Sequence, residues 1–490
     1  MKKQAYFQVQ KALSWFLMAV IFIATALPVQ AQNESSRDDR SNTSTSPSSV
    51  WAPLGPGLLD GVEAIAVSGR RVYVGGHFWK IGSCDLCKRI AVWDGFRWSP
   101  LGSGSNGIIR AIAVDNTGNV YVGGEFDSIG NCTSGCNNVA KWNGTDWLAL
   151  ETGINGYVLA LSIGESGEVY AGGYFSAAGS CTSGCNNIAK WSGSKWSSLE
   201  TGMDNGVLSL TAIGSTLYAG GEFGSAGTCT TGCSRIARWN GSTWAAMSTG
   251  MNNYVYSIAV AGSDIYAAGW FTSAGSCSGC NRIARWNGSA WLPLGNGVNA
   301  DAYTVALSSG YVYVGGIFST AGTCSSGCGA IAKWDGTNWS SVGGGSTGFV
   351  DQIAFQGANL YAGGYFSSMG GCTDNCNNIA RYVEPVICAN VTTEPPLAPA
   401  AFTISGNVGS ACATLSYTGS SSLAAATIIT ADGFGNYSFS VAPGWTGVLT
   451  PSKPGFIFTP ASLQISNVQT DTTDQDFSAT VRTYVPLVLR

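Results

Sequence analysis

Short apolar runs recur in sets along most of this chain. Val62–Val67 and Arg71–Gly76 alternate β-branched residues with small ones, which predicts two strands buried on both faces. Arg89–Trp93 and Arg97–Leu101 follow and are separated by Asp94-Gly95; this predicts a hairpin whose turn needs positive φ. The same turn pair returns as Asn143-Gly144, Asn240-Gly241, Asn287-Gly288 and Asp335-Gly336. The Asn pairs also open Asn-Gly-Thr/Ser sequons, for which the turn is a sufficient reason.

Three motifs each recur seven times. Val72-Tyr-Val-Gly-Gly76 returns at 120–124, 169–173, 217–221, 265–269, 312–316 and 360–364. Ile90-Ala-Val-Trp93 returns with Trp142, Trp191, Trp239, Trp286, Trp334 and, last, Tyr382. A Trp with Leu or a similar residue three positions on starts at Trp51, Trp98, Trp147, Trp196, Trp244, Trp291 and Trp339. A spacing near 48 residues with four strands per unit predicts propeller blades. The last copy ends at Tyr382 without a fourth strand, while an orphan fourth strand, Trp51-Ala-Pro-Leu54, opens the array. Joining the two closes a seven-bladed ring and removes an open sheet edge.

Composition agrees with many short strands and tight turns. There are 67 Gly and 17 Trp in 490 residues, and charged residues make up only 11%. The division read from the sequence is residues 1–31 as a signal peptide, 32–50 as a Ser/Thr-rich linker, 51–382 as the propeller, 383–401 as a Pro-rich linker, 402–481 as a β-sandwich and 482–490 as a tail. The signal reading rests on Lys2, Lys3 and Lys11, the apolar run Ala12–Leu27 and small residues near Ala31. An uncleaved anchor is the alternative. Cleavage takes the net charge from −4 to −7 by removing three lysines, which argues against a nucleic-acid partner. No long apolar stretch follows the signal, so a secreted or cell-surface protein is expected.

Fourteen of the 16 cysteines form one pair per unit: Cys84/Cys87, Cys132/Cys136, Cys181/Cys185, Cys229/Cys233, Cys277/Cys280, Cys324/Cys328 and Cys372/Cys376. All fall in the loop between the second and third strands, where they are expected to pin long loops locally. In an exported chain such pairs read as disulfides, each worth about 2 kcal/mol by chain entropy. Zinc is the rival, but it needs four ligands and successive pairs belong to different blades. Cys388 and Cys412 are expected to bond to each other.

The Gly-Gly, aromatic and Trp pattern over 51–382 resembles the kelch and galactose-oxidase central-domain repeat. It departs in the Phe two residues after Gly-Gly and in the cysteine pairs. The resemblance implies fold more than function. The copper site of the galactose-oxidase relatives takes two histidines, and this chain has only His77, so no metal or other cofactor is expected. A Ser-His-Asp hydrolase would also need His77 and shows no nucleophile elbow. No arginine cluster of the sialidase kind and no carboxylate pair of the glycosidase kind stands out.

The C-terminal part shows seven short alternating runs: Thr403–Val408, Thr414–Tyr417, Thr427–Thr430, Tyr437–Val441, Gly447–Thr450, Leu463–Ser466 and Phe477–Val481. They suit a β-sandwich. Ser405-Gly-Asn-Val and Gly435-Asn-Tyr-Ser-Phe resemble the carboxypeptidase-regulatory or prealbumin-like modules of exported bacterial proteins. The tail Tyr484–Arg490 reads either as a sorting signal or as a last strand.

Positions that vary among otherwise constant repeats are free of packing duty. The residue after Gly-Gly is one: His77, Glu125, Tyr174, Glu222, Trp270, Ile317 and Tyr365. Ile108, Tyr157, Tyr254, Tyr303 and Phe349 open the innermost strands on the same side, with Glu63, Arg110 and Asp351 nearby. The candidate ligand-binding set is therefore Glu125, Tyr174, Glu222, Trp270, Tyr365, Tyr157, Tyr254 and Tyr303. Aromatic faces and carboxylates in one bowl suit a glycan or an extended peptide; the plainer alternative is that these residues fill the upper packing layer. The function expected is exported, non-enzymatic binding of an extracellular glycan or protein. A structural or matrix role and a carbohydrate-active enzyme are the alternatives.

Overall fold

The computed structural model describes residues 50–383 except Phe96, and within 402–481 all but 411–412, 420–426, 432–435, 454–455, 471 and 473–474. The expected signal, the tail, Cys388, Cys412 and both linkers apart from Val50 and Val383 lie outside the described residues. Every element among the described residues is a strand, and among those residues no helix is long and apolar enough to cross a membrane.

The repeats build a seven-bladed β-propeller. Blades 1–6 are antiparallel sheets of four consecutive strands, the first running from Val62–Ser68 (innermost) through Arg71–Gly76 and Ile90–Trp93 to Trp98–Pro100. Blade 7 takes Phe349–Gln356, Asn359–Tyr365 and Ile379–Val383, then borrows Val50–Ala52 as its outer strand, with Trp51 opposite Tyr382. The expected closure is present. Third strands begin one residue later than the pattern suggests, because Arg89 stands at a φ of 66° outside the sheet.

Each motif has a mechanical task. The outer-strand Trp donates from its indole to the preceding blade, at the residue three after that blade's own Trp: Trp98 to Leu54 O (2.7 Å), Trp147 to Leu101 O (3.0 Å), and so round to Trp51 and Val342 O (3.0 Å). A Cβ on the first Gly of the pair would meet the next blade's innermost strand, as Gly172 would meet Val207 Cγ1 at 2.6 Å. A Cβ on the second would strike a carbonyl of its own blade, as Gly173 would strike Tyr157 O at 1.9 Å. Only hydrogen fits at both places. Blade 5 is the exception: it has Ala268 in the first place and faces Ala302, where the other innermost strands present Val or Ile.

All seven expected pairs are disulfides: Cys84–Cys87, Cys132–Cys136, Cys181–Cys185, Cys229–Cys233, Cys277–Cys280, Cys324–Cys328 and Cys372–Cys376, with Cα–Cα distances of 5.4–6.0 Å. They pin the loops locally, as expected, and their placement adds a tie to the core. The second partners, Cys87, Cys136, Cys185, Cys233, Cys280, Cys328 and Cys376, are fully buried, whereas the first partners are half-buried. Each buried half-cystine belongs to the blade core together with the Phe that follows Gly-Gly, as Cys87 does with Phe78 and Cys185 with Phe175. The reason is chemical: a bonded sulfur carries no proton to donate and behaves as a small apolar group, so the core takes it in readily. The bond therefore ties the loop to the core, and no second Cys is open to a ligand.

In blades 2–7 a polar side chain from the incoming connection also pins the start of the cysteine loop. Asn106, Asn155, Asp204, Asn252, Asn299 and Thr347 each accept two successive backbone N–H bonds there. Blade 1 has Leu59 at that position.

The C-terminal module has eight strands among its described residues. Phe402–Asn407 pairs with Asn436–Val441; Thr427–Thr430, Thr414–Gly419, Trp445–Ser452 and Leu463–Val468 form a second sheet; Phe456–Thr459 pairs with Ser478–Val481. They enclose a core that includes Ile404, Leu415, Phe439, Leu449 and Phe477. Phe456–Thr459 is the strand absent from the sequence reading; in sequence it is flanked by Pro454-Gly455 and Pro460, residues that favour turns.

Candidate functional site: the inner rim of the loop face

Each innermost strand carries a bulge at the same place, just inside its start. In blade 1 the register jumps between Val62 and Ala64 and leaves Glu63 unpaired. The corresponding residues are Arg110, Leu159, Leu208, Tyr256, Tyr303 and Asp351. A bulge re-aims one side chain out of the pleat. Here it turns out a residue that changes almost from blade to blade, next to the equally variable residue that follows Gly-Gly.

Over blades 7, 1 and 2 these residues form an ionic cluster. The Arg110 guanidinium lies 2.9 Å from both Glu63 Oε2 and Glu125 Oε1. Its Nε also donates to Glu125 Oε1 at 2.9 Å. Glu63 Oε1 accepts from Tyr365 Oη at 3.0 Å and lies 3.2 Å from His77 Nε2. Burial opposes the Arg110 charge, but Glu63 and Glu125 together hold its pKa above the ordinary value.

Over blades 3–7 the rim is aromatic with embedded carboxylates. Trp270 meets Tyr254 edge-on at 5.8 Å, and Tyr256, Tyr303, Phe349 and Tyr365 follow one another at 5.6, 6.1 and 5.2 Å. Tyr174 is hydrogen-bonded to the buried Glu222. Burial first, and then nearby carboxylates, raise the pKa of Tyr174, Tyr256, Tyr303 and Tyr365. All four stay protonated at neutral pH. Asp301, beside this arc, is pushed up to about 6 by burial, against the pull of Arg282 at 3.7 Å.

The eight residues singled out from sequence all fall on this rim, but not in equivalent roles. Glu125 is tied into the ionic cluster. Tyr174 and Tyr365 reach across to the next blade and lie where a Cβ on Gly206 or Gly61 would be, at 2.3 and 2.1 Å, so both are packing elements too. Trp270, Tyr254 and Tyr157 are half-buried. Tyr303 stands neither at the head of its strand, as Tyr157 does, nor just before it, as Tyr254 does; it is a bulge residue, and its counterpart Tyr256 is absent from the candidate set. Counting back from the Gly-Gly of each copy aligns the two.

A second overlooked signal is the residue that precedes each third strand. Arg89, Asn138, Asn187, Arg235, Arg282, Ala330 and Asn378 all have positive φ. The asparagines bind backbone on both sides, as Asn138 does between Phe126 N and Ile154 O. The arginines instead donate to the carbonyl of the variable rim residue: Arg89 to His77 (2.8 Å), Arg235 to Glu222 and Arg282 to Trp270. They bring positive charge to blades 1, 4 and 5 only.

Fold and rim together define a closed β-propeller with a loop-lined face. In sequence, residues 95–260 match the model of the Rax2 C-terminal beta propeller domain. No curated protein matches the chain significantly. Among solved structures, the computationally designed Ika8 protein is 13% identical over 68% of this chain and 98% of its own, with a TM-score of 0.42. The WD40 beta propeller domain of Doa1 is 12% identical over 69% and 97%, with a TM-score of 0.45. YCF48 bound to D1 peptide is 15% identical over 52% and 74%, with a TM-score of 0.34.

Proposed function

We propose that this chain is an exported, non-catalytic interaction protein of the kelch-like kind that holds a glycan or an extended peptide on the inner rim of its loop face. One observation carries the reading: a bulge kept in all seven blades turns out side chains as different as Glu63, Arg110, Leu159, Tyr256 and Asp351. Packing alone gives no reason to keep the bulge and vary its residue. The protonated phenol of Tyr256 supplies a donor, the rim carboxylates supply acceptors, and the aromatic faces suit sugar C–H surfaces or apolar side chains.

Seven disulfides fit an oxidising compartment, as does the basic-then-apolar N-terminus. The single imidazole of the chain lies 3.2 Å from Glu63, and Glu63 and Glu125 are both paired with Arg110; this supports binding over acid–base catalysis. The test is binding of the protein, disulfides intact, to arrays of glycans, extracellular polymers and peptides. A ligand should be found, and Trp270→Ala with Tyr157→Ala should weaken it at least about tenfold. A blank array, or a hit that this pair of substitutions leaves unchanged, would refute rim binding and favour a structural role.

A further inference from the structure

Six blades provide an internal reference for the seventh. At the position of Leu59, blades 2–7 place the Asn, Asp or Thr that pins the cysteine loop. At the position of Trp79 they place Asp127, Ser176, Gly224, Thr272, Ser319 or Ser367. At the position of Leu86, just before the second Cys, they place Gly or, in blade 7, Asn375. Blade 1 is therefore apolar at three loop positions where its siblings are polar or glycine. These side chains are also among the most exposed large hydrophobics described: Leu59 is 80%, Trp79 58% and Leu86 50% exposed.

Exposure of this kind opposes solubility and adds nothing to the blade, since the siblings fold without it. Trp79 is nonetheless held in place. The Arg89 guanidinium lies 4.0 Å from its ring centroid while donating to His77 O at 2.8 Å, so little side-chain freedom remains to be lost on docking. The charge is local as well. Between its Gly-Gly and third strand, blade 1 carries Lys80, Lys88 and Arg89 against Asp85, whereas each other blade has at most one Lys or Arg there. Asp60 lies near Arg89 and offsets only part of this.

We propose that the blade 1 loop, through Leu59, Trp79 and Leu86 with Lys80, Lys88 and Arg89, is a docking surface for a protein segment that is both acidic and apolar. Exposed leucines beside an indole match aliphatic or aromatic side chains, and three clustered cations in a chain of net charge −4 match carboxylates on the partner. This goes beyond the rim reading and stands whether or not the rim binds anything.

Displayed random peptides of about twelve residues are to be selected in parallel on the whole protein and on the double variant Leu59→Asn, Trp79→Ser. Both new residues are the siblings' own, as at Asn155 and Ser176, so the variant keeps the blade; unchanged thermal unfolding checks that it does. Peptides recovered on the natural protein should pair Asp or Glu with Leu, Phe or Trp. They should lose at least about tenfold in affinity on the variant and weaken as salt is raised past the point where exposed charges are screened. Recovered pools without acidic enrichment, equal binding by the variant, or peptide binding lost on Trp270→Ala instead would overturn the proposal. So would a uronic-acid oligosaccharide that needs Trp79 where no peptide does.

Discussion

The outer wall of the propeller and its inner rim are made by the same seven repeats, and they obey opposite rules. On the wall the blades repeat one solution: an indole that latches onto its neighbour, two glycines where backbones meet (Ala268 and Gly269 in blade 5), a buried Phe, a buried half-cystine. On the rim the backbone is repeated down to the bulge, while the side chain it presents runs from Glu63 to Arg110 to Leu159. Constancy within one chain thus marks packing, and variation on a constant backbone marks positions available for recognition. Substitutions on the wall should cost stability, and substitutions on the rim should cost binding.

Arg110 is the rim residue expected to break that division most. Its side chain is only 7% exposed and neutralises Glu63, itself 9% exposed. Replacing it with Met would keep the stem and leave two carboxylates facing each other without a counter-charge. The expected cost is about 3 kcal/mol or more at neutral pH, seen as an earlier unfolding transition. Adding Glu63→Gln and Glu125→Gln should recover most of it. A stable Arg110→Met protein would mean that the cluster is solvated, and that the rim is free of structural duty even there.

The wall offers a smaller and more exacting test. Ala268 stands where its siblings have the first Gly of the pair, and Ala302 stands where theirs have Val or Ile. The two departures compensate each other: a methyl gained on one side of the blade 5–blade 6 interface is matched by methyls given up on the other. Ala302→Val should therefore destabilise by about 1–3 kcal/mol. Adding Ala268→Gly, which recreates the pairing of the other blades, should restore stability with a coupling of about 1 kcal/mol or more. Simple additivity of the two would show that the interface relaxes without regard to this pair.

These cases also explain how far the sequence could be read. Blade count, ring closure through Trp51 and all seven described disulfides are legible because each depends on short-range pattern repeated many times. The rim's location is legible for the same reason, since variable residues stand out against constant ones. What each residue touches is not. That Cys87 or Cys185 lies inside its blade core depends on where the loop folds back over Phe78 or Phe175, which spacing along the chain does not state. That Tyr174 lies over Gly206 and Tyr365 over Gly61 depends on which residue the next blade brings opposite, some 32 positions or most of the ring away. Tyr256 escapes the sequence reading because Tyr303 is grouped there with Tyr254, two positions away from its true counterpart; the bulge that Tyr256 and Tyr303 share shows the alignment. The strand Phe456–Thr459 is hidden by turn-forming prolines on either side of it.

The last test concerns the site of a raised carboxylate. Asp301 titrates at about 6, above its ordinary 3.8, because burial outweighs Arg282 at 3.7 Å. With the folded pKa raised, the unfolded chain gives up its proton first as pH rises. Stability attributable to Asp301 therefore falls between roughly pH 4 and pH 6, and the full cost is present above that window. Two pKa units correspond to nearly 3 kcal/mol; with the side chain about a fifth exposed, about 1–2 kcal/mol is the expected size. Asp301→Asn should stabilise the protein by that amount at pH 8 and by nothing at pH 3.5, read from unfolding at the two pH values. An equal gain at both would show that the carboxyl is not strained and that the effect comes from packing, as on the wall. A gain confined to high pH would locate a destabilising charge beside Tyr256 and Tyr303, on the rim, where folding has no use for it and a hydrogen-bonding ligand would.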